Sequence, residues 1–311
     1  MAPDALRRWS LVAALGTMVA WGMNFAFVKY VLDQLGVGAF MFLRYVALPL
    51  LGLALLVIIF RRRVRHTWPR REDLPRFLWC AAIGHVVHIW SVMYGMNLST
   101  AFSSSLVLMC QPLFTLAILA WLGAEALGRR QIAGSLVAFA GIALFLGDKF
   151  AGGLARAGLG DLTLLVAGAS FSAYTVMARP LVDRYGPLIP LAYTLLFSMP
   201  VMLALSWPAF AAARLTGLPP SVWAAIFFAL VVSSFLGWLT WTWVNSVRGV
   251  ARSAPFMYLM PPVAGVMAWL TLGETFTWLK LVGAGITMAG VAWAQFGSGA
   301  PRKEAAQADP G

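Results

Sequence analysis

Polar and aromatic side chains recur at helical spacing within one long apolar segment of the chain. His85, His88, Ser91 and Tyr94 follow one another at intervals of three residues, and residues three apart share a face of an α-helix. Polar groups in such a segment are costly and commonly mark a substrate pathway. The stripe predicts either a cavity wall that contacts a polar substrate or two histidines bonded to neighbouring backbone carbonyls.

Two prolines mark a second group of candidates. Gln111 directly precedes Pro112, and Pro261 lies 149 residues further along the chain. Proline removes a backbone hydrogen bond and loosens the preceding turn, so that carbonyls can face a ligand in a cavity. We expect a helix break near the substrate in each half, with a simple packing kink as the alternative. Ser104 and Tyr258 lie on the same two segments and are further candidates for substrate binding.

Aromatic side chains at helical spacing add candidates on three more segments. Such side chains can stack on an aromatic or large apolar substrate. Tryptophan also collects where a membrane meets water, and both interpretations stay open for the tryptophans of the eighth segment. The substrate-binding candidates from these segments are Trp21, Asn24, Tyr174, Trp238 and Trp241.

Four charged residues at segment ends are candidates for gates. Glu125 and Glu274 are 149 residues apart and fall at opposite ends of the expected structure. We predict one ion pair between Glu125 and Arg179 and another between Glu274 and Lys29, each at the edge of a gate. Glu125 could instead pair with the arginine one helical turn after it.

No pattern of residues indicates catalysis or metal binding. The 11 acidic residues form no cluster at membrane depth, and no GxSxG-like serine is present. Cys80 and Cys110 lie in apolar segments without CxxC or His–Cys spacing, which favours buried thiols over a metal site. We predict no catalytic residue, no metal and no cofactor. An intramembrane enzyme or a channel is kept as an alternative from a different functional class.

The apolar segments that position these residues dominate the composition. Of 311 residues, 61% are hydrophobic and 11% are charged, as in an integral membrane protein. Windows of about twenty residues, enough for the hydrocarbon core, predict ten spans. These spans are Trp9–Tyr30, Val37–Phe60, Leu74–Met96, Thr100–Leu122, Ile132–Gly147, Gly160–Ala178, Leu188–Pro208, Ser221–Trp243, Ala251–Leu272 and Trp278–Phe296.

The positive charges alternate between the two sides of these spans. Seventeen Lys and Arg residues fall on the side of the N-terminus, five fall on the other side, and only Arg44 lies within a span. By the positive-inside rule, this alternation predicts a bacterial inner-membrane protein with both termini in the cytoplasm. Because the basic residues lie between apolar segments, the net charge of +12 does not indicate nucleic-acid binding.

The two halves of the sequence repeat each other. Four residues recur 149 positions later, and "VKYVLDQLG" resembles "ARPLVDRYG" at a spacing of 150. Five spans are an odd number, so the second half must enter the membrane inverted. We predict an all-α fold of ten transmembrane helices: one repeat in residues 1–148, a linker in 149–159, the inverted repeat in 160–298 and a cytoplasmic tail in 299–311. The recurring pairs are Pro112 and Pro261, Glu125 and Glu274, Gly134 and Gly283, and Gly141 and Gly290.

Small residues four apart suggest close helix contacts in the fifth and tenth spans. Gly134 with Ala138 and Gly285 with Ala289 allow neighbouring backbones to approach. Such a surface could serve a dimer, but we expect packing within each half and a monomer or weak dimer.

These motifs together resemble the EamA-like members of the drug/metabolite transporter superfamily. The resemblance rests on "WGMNFAFVKYVL", "FLRYVALPLL", "QPLFTLAILAWLGAEALGRRQIAGSLVAFAGIAL", "GDLTLLVAGASFSAYTVMARPL" and "PPVAGVMAWLTLGETFTWLKLVGAGITMAGV". It implies a secondary transporter that works by alternating access within the lipid bilayer. The overall layout is similar to YddG-type exporters, which implies export of aromatic and other neutral amino acids. A different metabolite or a drug is the alternative cargo.

Overall fold

The described part of the chain is helical. The computed structural model describes residues 3–62, 67–123, 128–151, 155–249 and 253–296, and these residues contain no β-strand. Seven of their helices are long and apolar enough to cross a membrane, and two shorter apolar helices cover Phe256–Leu272 and Trp278–Ala294. Helices suit such a sequence because they satisfy every backbone group internally where no water is present. The all-α prediction is confirmed.

The α-helices are numbered here in chain order. They are α1 (Pro3–Leu35), α2 (Val37–Phe60), α3 (Leu74–Ala81), α4 (His88–Leu98), α5 (Ala101–Leu108), α6 (Gln111–Trp121), α7 (Arg129–Ala151), α8 (Ala155–Tyr185), α9 (Leu188–Ala212), α10 (Pro220–Phe227), α11 (Gly237–Arg248), α12 (Met260–Leu272) and α13 (Trp278–Phe296). Glu125 and the expected tail lie outside the described residues.

Two of the long helices contain a stretch of π-helix. The first π segment, Ala82–Val87, joins α3 to α4, and the second, Phe228–Leu236, joins α10 to α11. A shift of the first segment by 149 residues places it on 231–236, inside the second. A π turn closes hydrogen bonds over five residues instead of four and often occurs at functional sites. Neither segment was predicted from the sequence.

Both prolines of the repeat begin a new helix. Pro112 is the second residue of α6, after a turn at Met109–Cys110. Pro261 is the second residue of α12, after a 3₁₀ segment over Ala254–Leu259. The first turn of a helix has no internal partner for its N–H groups, so a proline there loses no bond.

Glycine makes the same tight turn in both halves. Gly36 links α1 to α2 with a φ of 74°, and Gly186 links α8 to α9 with a φ of 74°. This left-handed conformation strains residues with a Cβ atom but not glycine. The two turns are 150 residues apart, the spacing of the sequence match around them.

Helices from the first part of the chain pack mainly on helices from the second part. The contacts join α2 to α9, α4 to α8, α1 to α11 and α12, α5 to α12, α6 to α8, and α7 to α13. At the α7–α13 crossing, a Cβ atom on Gly134 would lie 2.4 Å from the Ala294 nitrogen, and one on Gly290 would lie 2.3 Å from the Ala138 nitrogen. The expected packing within each half is therefore wrong, because these glycines join the two parts.

The bundle has one end rich in arginine and one that is not. Arg70, Arg71, Arg184 and Arg248 mark the first, which we call the arginine-rich end. The turn at Gly36 lies at the other, which we call the opposite end.

A matched pair of glycines on α13 tests the crossing with α7. Gly290→Ala should lower the melting temperature of the protein in detergent, because its new methyl group meets backbone that cannot turn aside; overpacking of this kind costs about 1–3 kcal/mol. Gly285→Ala is the control, because nothing lies within 4 Å of its Cβ position. Equal melting temperatures for the two variants would contradict the close backbone contact between Gly290 and α7.

Candidate functional site

A central cavity lies between helices from both parts of the chain. It encloses about 620 Å³ of space not filled by protein atoms, part of it open to the outside. Its polar wall comes from α1, α2, α4, α6 and the second π segment, and aromatic rings from α1, α8 and α11 complete it. The lining includes Trp21, Asn24, Phe25, Arg44, His88, Gln111, Phe171, Ser233, Ser234 and Trp238.

A second cavity, which we call the vestibule, leads from this region to the arginine-rich end. It lies between α8 and α11, encloses about 720 Å³ of space not filled by protein atoms, part of it open to the outside, and its lining includes Arg179, Asn245 and Ser246. Phe171 and Trp238 line both cavities. These two rings lie 5.6 Å apart, edge to face, and form an aromatic partition between the vestibule and the central cavity.

Trp238 is the centre of an aromatic cluster that includes His85 of the first π segment and His88 of α4. Its ring centroid lies 5.2 Å from His85, 6.0 Å from His88 and 5.5 Å from Tyr174. Gly84 makes room for this cluster, because a Cβ atom there would lie 2.2 Å from the Tyr174 ring. The wide π turn and the glycine together let α8 bring its aromatic side chains close to the first π segment.

Both buried histidines have specific hydrogen-bond partners. His88 Nδ1 lies 2.8 Å from the Ala167 carbonyl and must donate to it. His85 Nε2 lies 3.1 Å from the Thr194 hydroxyl, and that hydroxyl donates its own proton to the Pro190 carbonyl. His85 Nε2 therefore carries a proton, which leaves Nδ1 as a bare acceptor in the neutral ring. His88 thus binds a backbone carbonyl and also lines the central cavity.

Arg44 brings a positive charge into the central cavity. Its side chain is 4% exposed, Nη1 donates to the Ser234 hydroxyl at 2.6 Å, and Nε has no hydrogen-bond partner among the described residues. The ion pairs of the described residues all involve other cations. In the sequence, Arg44 is the one cation within a predicted span, and it was not among the predicted binding residues. That isolated charge was the available signal.

The structure brings several predicted binding residues together at the two cavities. Trp21, Asn24, His88, Gln111 and Trp238 line the central cavity, and Tyr174, Trp238 and Trp241 line the vestibule.

Other predicted binding residues lie elsewhere. Tyr94 is 49% exposed on the outer surface, and neither Ser91 nor His85 lines the two cavities. Ser104 is fully buried and bonds back to the Thr100 carbonyl. Tyr258 donates to the Val291 carbonyl of α13.

The described gate candidates do not form the predicted pair. Glu274 accepts hydrogen bonds from the backbone nitrogens of Ala101 and Phe102, so it caps the start of α5 instead of pairing with Lys29. Lys29 Nζ donates to the Asn97 carbonyl at 3.0 Å and pairs with Asp33 one turn away. Arg179 is exposed and pairs with Asp183 at 4.0 Å. A carboxylate at a helix N-terminus is favourable, because the first N–H groups have no other partner.

Comparison with known proteins gives consistent results. The EamA-like transporter family matches the chain twice, over residues 8–147 and 158–295. A probable terminal-alkyne amino-acid exporter of Streptantibioticus cattleyicolor is 31% identical over 287 residues, 91% of each chain. A probable amino-acid metabolite efflux pump of Salmonella typhimurium is 27% identical and covers 89% of this chain and 92% of its own length. A solved crystal structure shares the fold with a TM-score of 0.59 at 18% identity, over 93% of this chain and 98% of the other.

The hydrogen bond between His85 and Thr194 should contribute to the stability of the protein. Thr194→Val keeps the shape of the side chain but leaves the buried His85 N–H without an acceptor, which costs about 1–3 kcal/mol. Thr271→Val is the control, because Thr271 makes the same back-bond to its own helix at an exposed site. We expect a lower melting temperature for the Thr194 variant alone. A similar change in both variants would show that the His85 contact contributes nothing.

Proposed function

The chain belongs to the EamA-like transporter family, and we propose that it exports neutral amino acids, aromatic ones above all, across the bacterial inner membrane by alternating access. It is a transporter of small molecules and not an enzyme. The observation that carries the proposal is the central cavity, where aromatic walls surround a few unsatisfied polar groups. Ligand sites in proteins typically combine apolar walls with a small number of placed polar groups.

The properties of the cavity favour an amino acid with an apolar side chain. Trp21, Phe171 and Trp238 offer ring faces for stacking and for burial of apolar area. Two relatives are named as an exporter and an efflux pump for amino acids or their metabolites, and one of those names specifies an alkyne-bearing amino acid. An alkyne side chain is apolar, so the same kind of cargo would suit the walls of this cavity.

The proposed architecture is ten transmembrane helices in two inverted repeats of five. The double family match and the paired π segments support it. The helix contacts of one half also correspond to those of the other, since the repeat relates α1 to α8, α4 to α11 and α6 to α12. The contact of α1 with α11 corresponds to that of α8 with α4, and the contact of α1 with α12 corresponds to that of α8 with α6. Repeat-related helices pack directly together where α2 meets α9 and where α7 meets α13. This is the pattern of a two-fold axis in the membrane plane.

Alternating access would use two pairs of helices that behave as rigid bodies. In the first pair, α1 is joined to the helix of α10 and α11 along its whole length. Tyr30 bonds to Ser221 at the opposite end, Trp21 Nε1 donates to the Ser233 carbonyl in the middle, and Arg248 donates to Ser10 at the arginine-rich end.

The second pair is joined in the same way. It consists of α8 and the helix of α3 and α4. Arg184 and Tyr185 bond to Asp73 at the arginine-rich end, at 2.8 Å and 2.6 Å. His88 bonds to the Ala167 carbonyl in the middle, and Ser99 donates to Asp161 at the opposite end.

Contacts between the two pairs differ at the two ends of the bundle. At the opposite end, Lys29 of the first pair donates to the Asn97 carbonyl of the second. At the arginine-rich end, the repeat-related residues are Arg179 and Ser246, and both line the open vestibule. A rocking motion of one pair against the other would close Arg179 toward Ser246 and release Lys29 from Asn97. By the positive-inside rule the vestibule then faces the cytoplasm, where an exporter collects its cargo.

A flux assay tests the proposed function. Purified protein in ATP-free liposomes should move labelled phenylalanine, tryptophan, methionine or threonine at a saturable rate above that of protein-free liposomes. Trp238→Ala should lower the rate about tenfold, because it removes one of the two rings shared by both cavities. Trp121→Ala is the matched control, since Trp121 is 84% exposed. No flux for any of the twenty amino acids, with an active reference transporter alongside, would direct the assignment to other metabolites.

The contact between Lys29 and Asn97 tests the rocking motion. Lys29→Met removes a charged hydrogen bond that closes the opposite end, so the population with an open vestibule should fall about tenfold. A single cysteine at the exposed Ser246 position, labelled in inside-out vesicles with a membrane-impermeant thiol reagent, measures this population. Lys280→Met is the control, because it removes a charge at the same end. An unchanged labelling rate in the Lys29 variant, or an equal fall in both variants, would contradict the mechanism.

A further inference from the structure

Arg44 is a buried cation with an unused hydrogen-bond donor. A guanidinium group has five N–H donors in a planar fork, and in the structure Nη1 donates to the Ser234 hydroxyl at 2.6 Å while the group also interacts with the neighbouring Tyr45 hydroxyl. Its Nε is buried and has no partner among the described residues, while the side chain lines the central cavity. Burial of a charge without a counter-ion is costly. The cavity is therefore prepared for an anion that the protein does not itself supply.

Comparison of the two halves indicates that the packing of these helices does not need the charge of Arg44. Arg44 and Thr194 are 150 residues apart, and Ser234 and His85 are 149 apart. Arg44 contacts Ser234, and Thr194 contacts His85 at 3.1 Å. The two contacts are thus equivalent under exchange of the halves, and the second one joins its helices with neutral groups alone. A charge in the first contact fits a role in ligand binding better than one in packing.

Asn24 supplies the opposite kind of unsatisfied atom to the same cavity. Its Oδ1 atom is buried and has no hydrogen-bond partner among the described residues, and its side chain lines the cavity with Arg44. An amide oxygen accepts hydrogen bonds, whereas a guanidinium only donates them. The two residues therefore complement a ligand that carries both an anionic acceptor and a cationic donor.

We infer that Arg44 binds the α-carboxylate of the transported amino acid and that Asn24 accepts a hydrogen bond from its α-ammonium group. The inference rests on the proposed function and names the polar part of its binding site. Arginine suits this role because its fork matches the two oxygens of a carboxylate. The aromatic rings of Trp21, Phe171 and Trp238 then face the side chain of the amino acid, and selectivity among side chains depends on them.

Competition against labelled phenylalanine in wild-type proteoliposomes tests the inference without any variant. Phenylalaninamide lacks the carboxylate, and 3-phenylpropionate lacks the ammonium group. Each should compete about 10- to 100-fold more weakly than unlabelled phenylalanine, because each leaves a buried polar group unsatisfied. Equal competition by phenylalaninamide and phenylalanine would overturn the role of Arg44, and equal competition by 3-phenylpropionate would overturn that of Asn24.

Two variants test which residue is responsible for the weaker competition by each analogue. Arg44→Gln should raise the KM for phenylalanine about 10- to 100-fold and abolish the preference for phenylalanine over its amide. Asn24→Leu should abolish the preference over 3-phenylpropionate and keep the preference over the amide. Arg76→Gln is the matched control, because Arg76 is exposed at the arginine-rich end, and it should behave as wild type.

A variant that fails to fold can be distinguished from a folded variant that binds the amino acid weakly. Arg44→Lys keeps the charge but not the fork, and it should recover part of the preference for phenylalanine over its amide if Arg44→Gln elutes as an aggregate in gel filtration. A folded Arg44→Gln protein with wild-type KM and preference would overturn the inference while the proposed function stands. Wild-type protein that moves no amino acid at all is a different result, and it removes the proposed function.

Discussion

The rest of this structure depends on one constraint: a polar group inside an apolar bundle needs a partner within the protein. The constraint explains why Ser104, Ser198 and Ser206 bond back to their own helices. The few buried atoms that lack partners among the described residues are therefore informative. Those of Asn24 and Arg44 line the central cavity, and that of Asn245 lines the vestibule. These three atoms lie along the path that cargo would follow, where a ligand or water can satisfy them, whereas the unsatisfied Nδ1 of His85 lines neither cavity.

Packing in the bundle takes two forms that serve different purposes. Where α7 crosses α13, glycine and alanine bring the backbones into contact, and such an interface leaves little room for sliding. Around the cavities, large rings meet at tilted angles, as Trp238 does with Phe171 and Tyr174. Ring contacts of this kind can rearrange through side-chain rotation. In the proposed mechanism, the first type of contact supports the frame and the second separates the two cavities in this state.

The sequence predicted the frame better than the site, and the physical reasons are clear. Apolar run length, charge alternation and the repeat depend on local composition, so the long helices followed from them. The partner of a side chain depends on which helices meet, and Arg44 finds Ser234 190 residues away. The π segments could not be predicted either, because the wider turn is stabilised by contacts across the bundle, such as Tyr45 to the His85 carbonyl. Glu274 was predicted to pair with Lys29, but its partner proved to be the backbone at the start of α5.

Symmetry of the frame and asymmetry of the site have separate consequences for a transporter. In the proposed architecture, two halves of similar structure would give an inward-open and an outward-open state similar energies, so that a small binding energy could shift the population between them. A ligand such as an amino acid has no two-fold symmetry, and it can be recognised only by residues that differ between the halves. Arg44 facing Ser234, where the other half has Thr194 facing His85, is such a difference. A single charged contact near the axis would hold the carboxylate in both states, while the aromatic rings on either side open and close around the side chain.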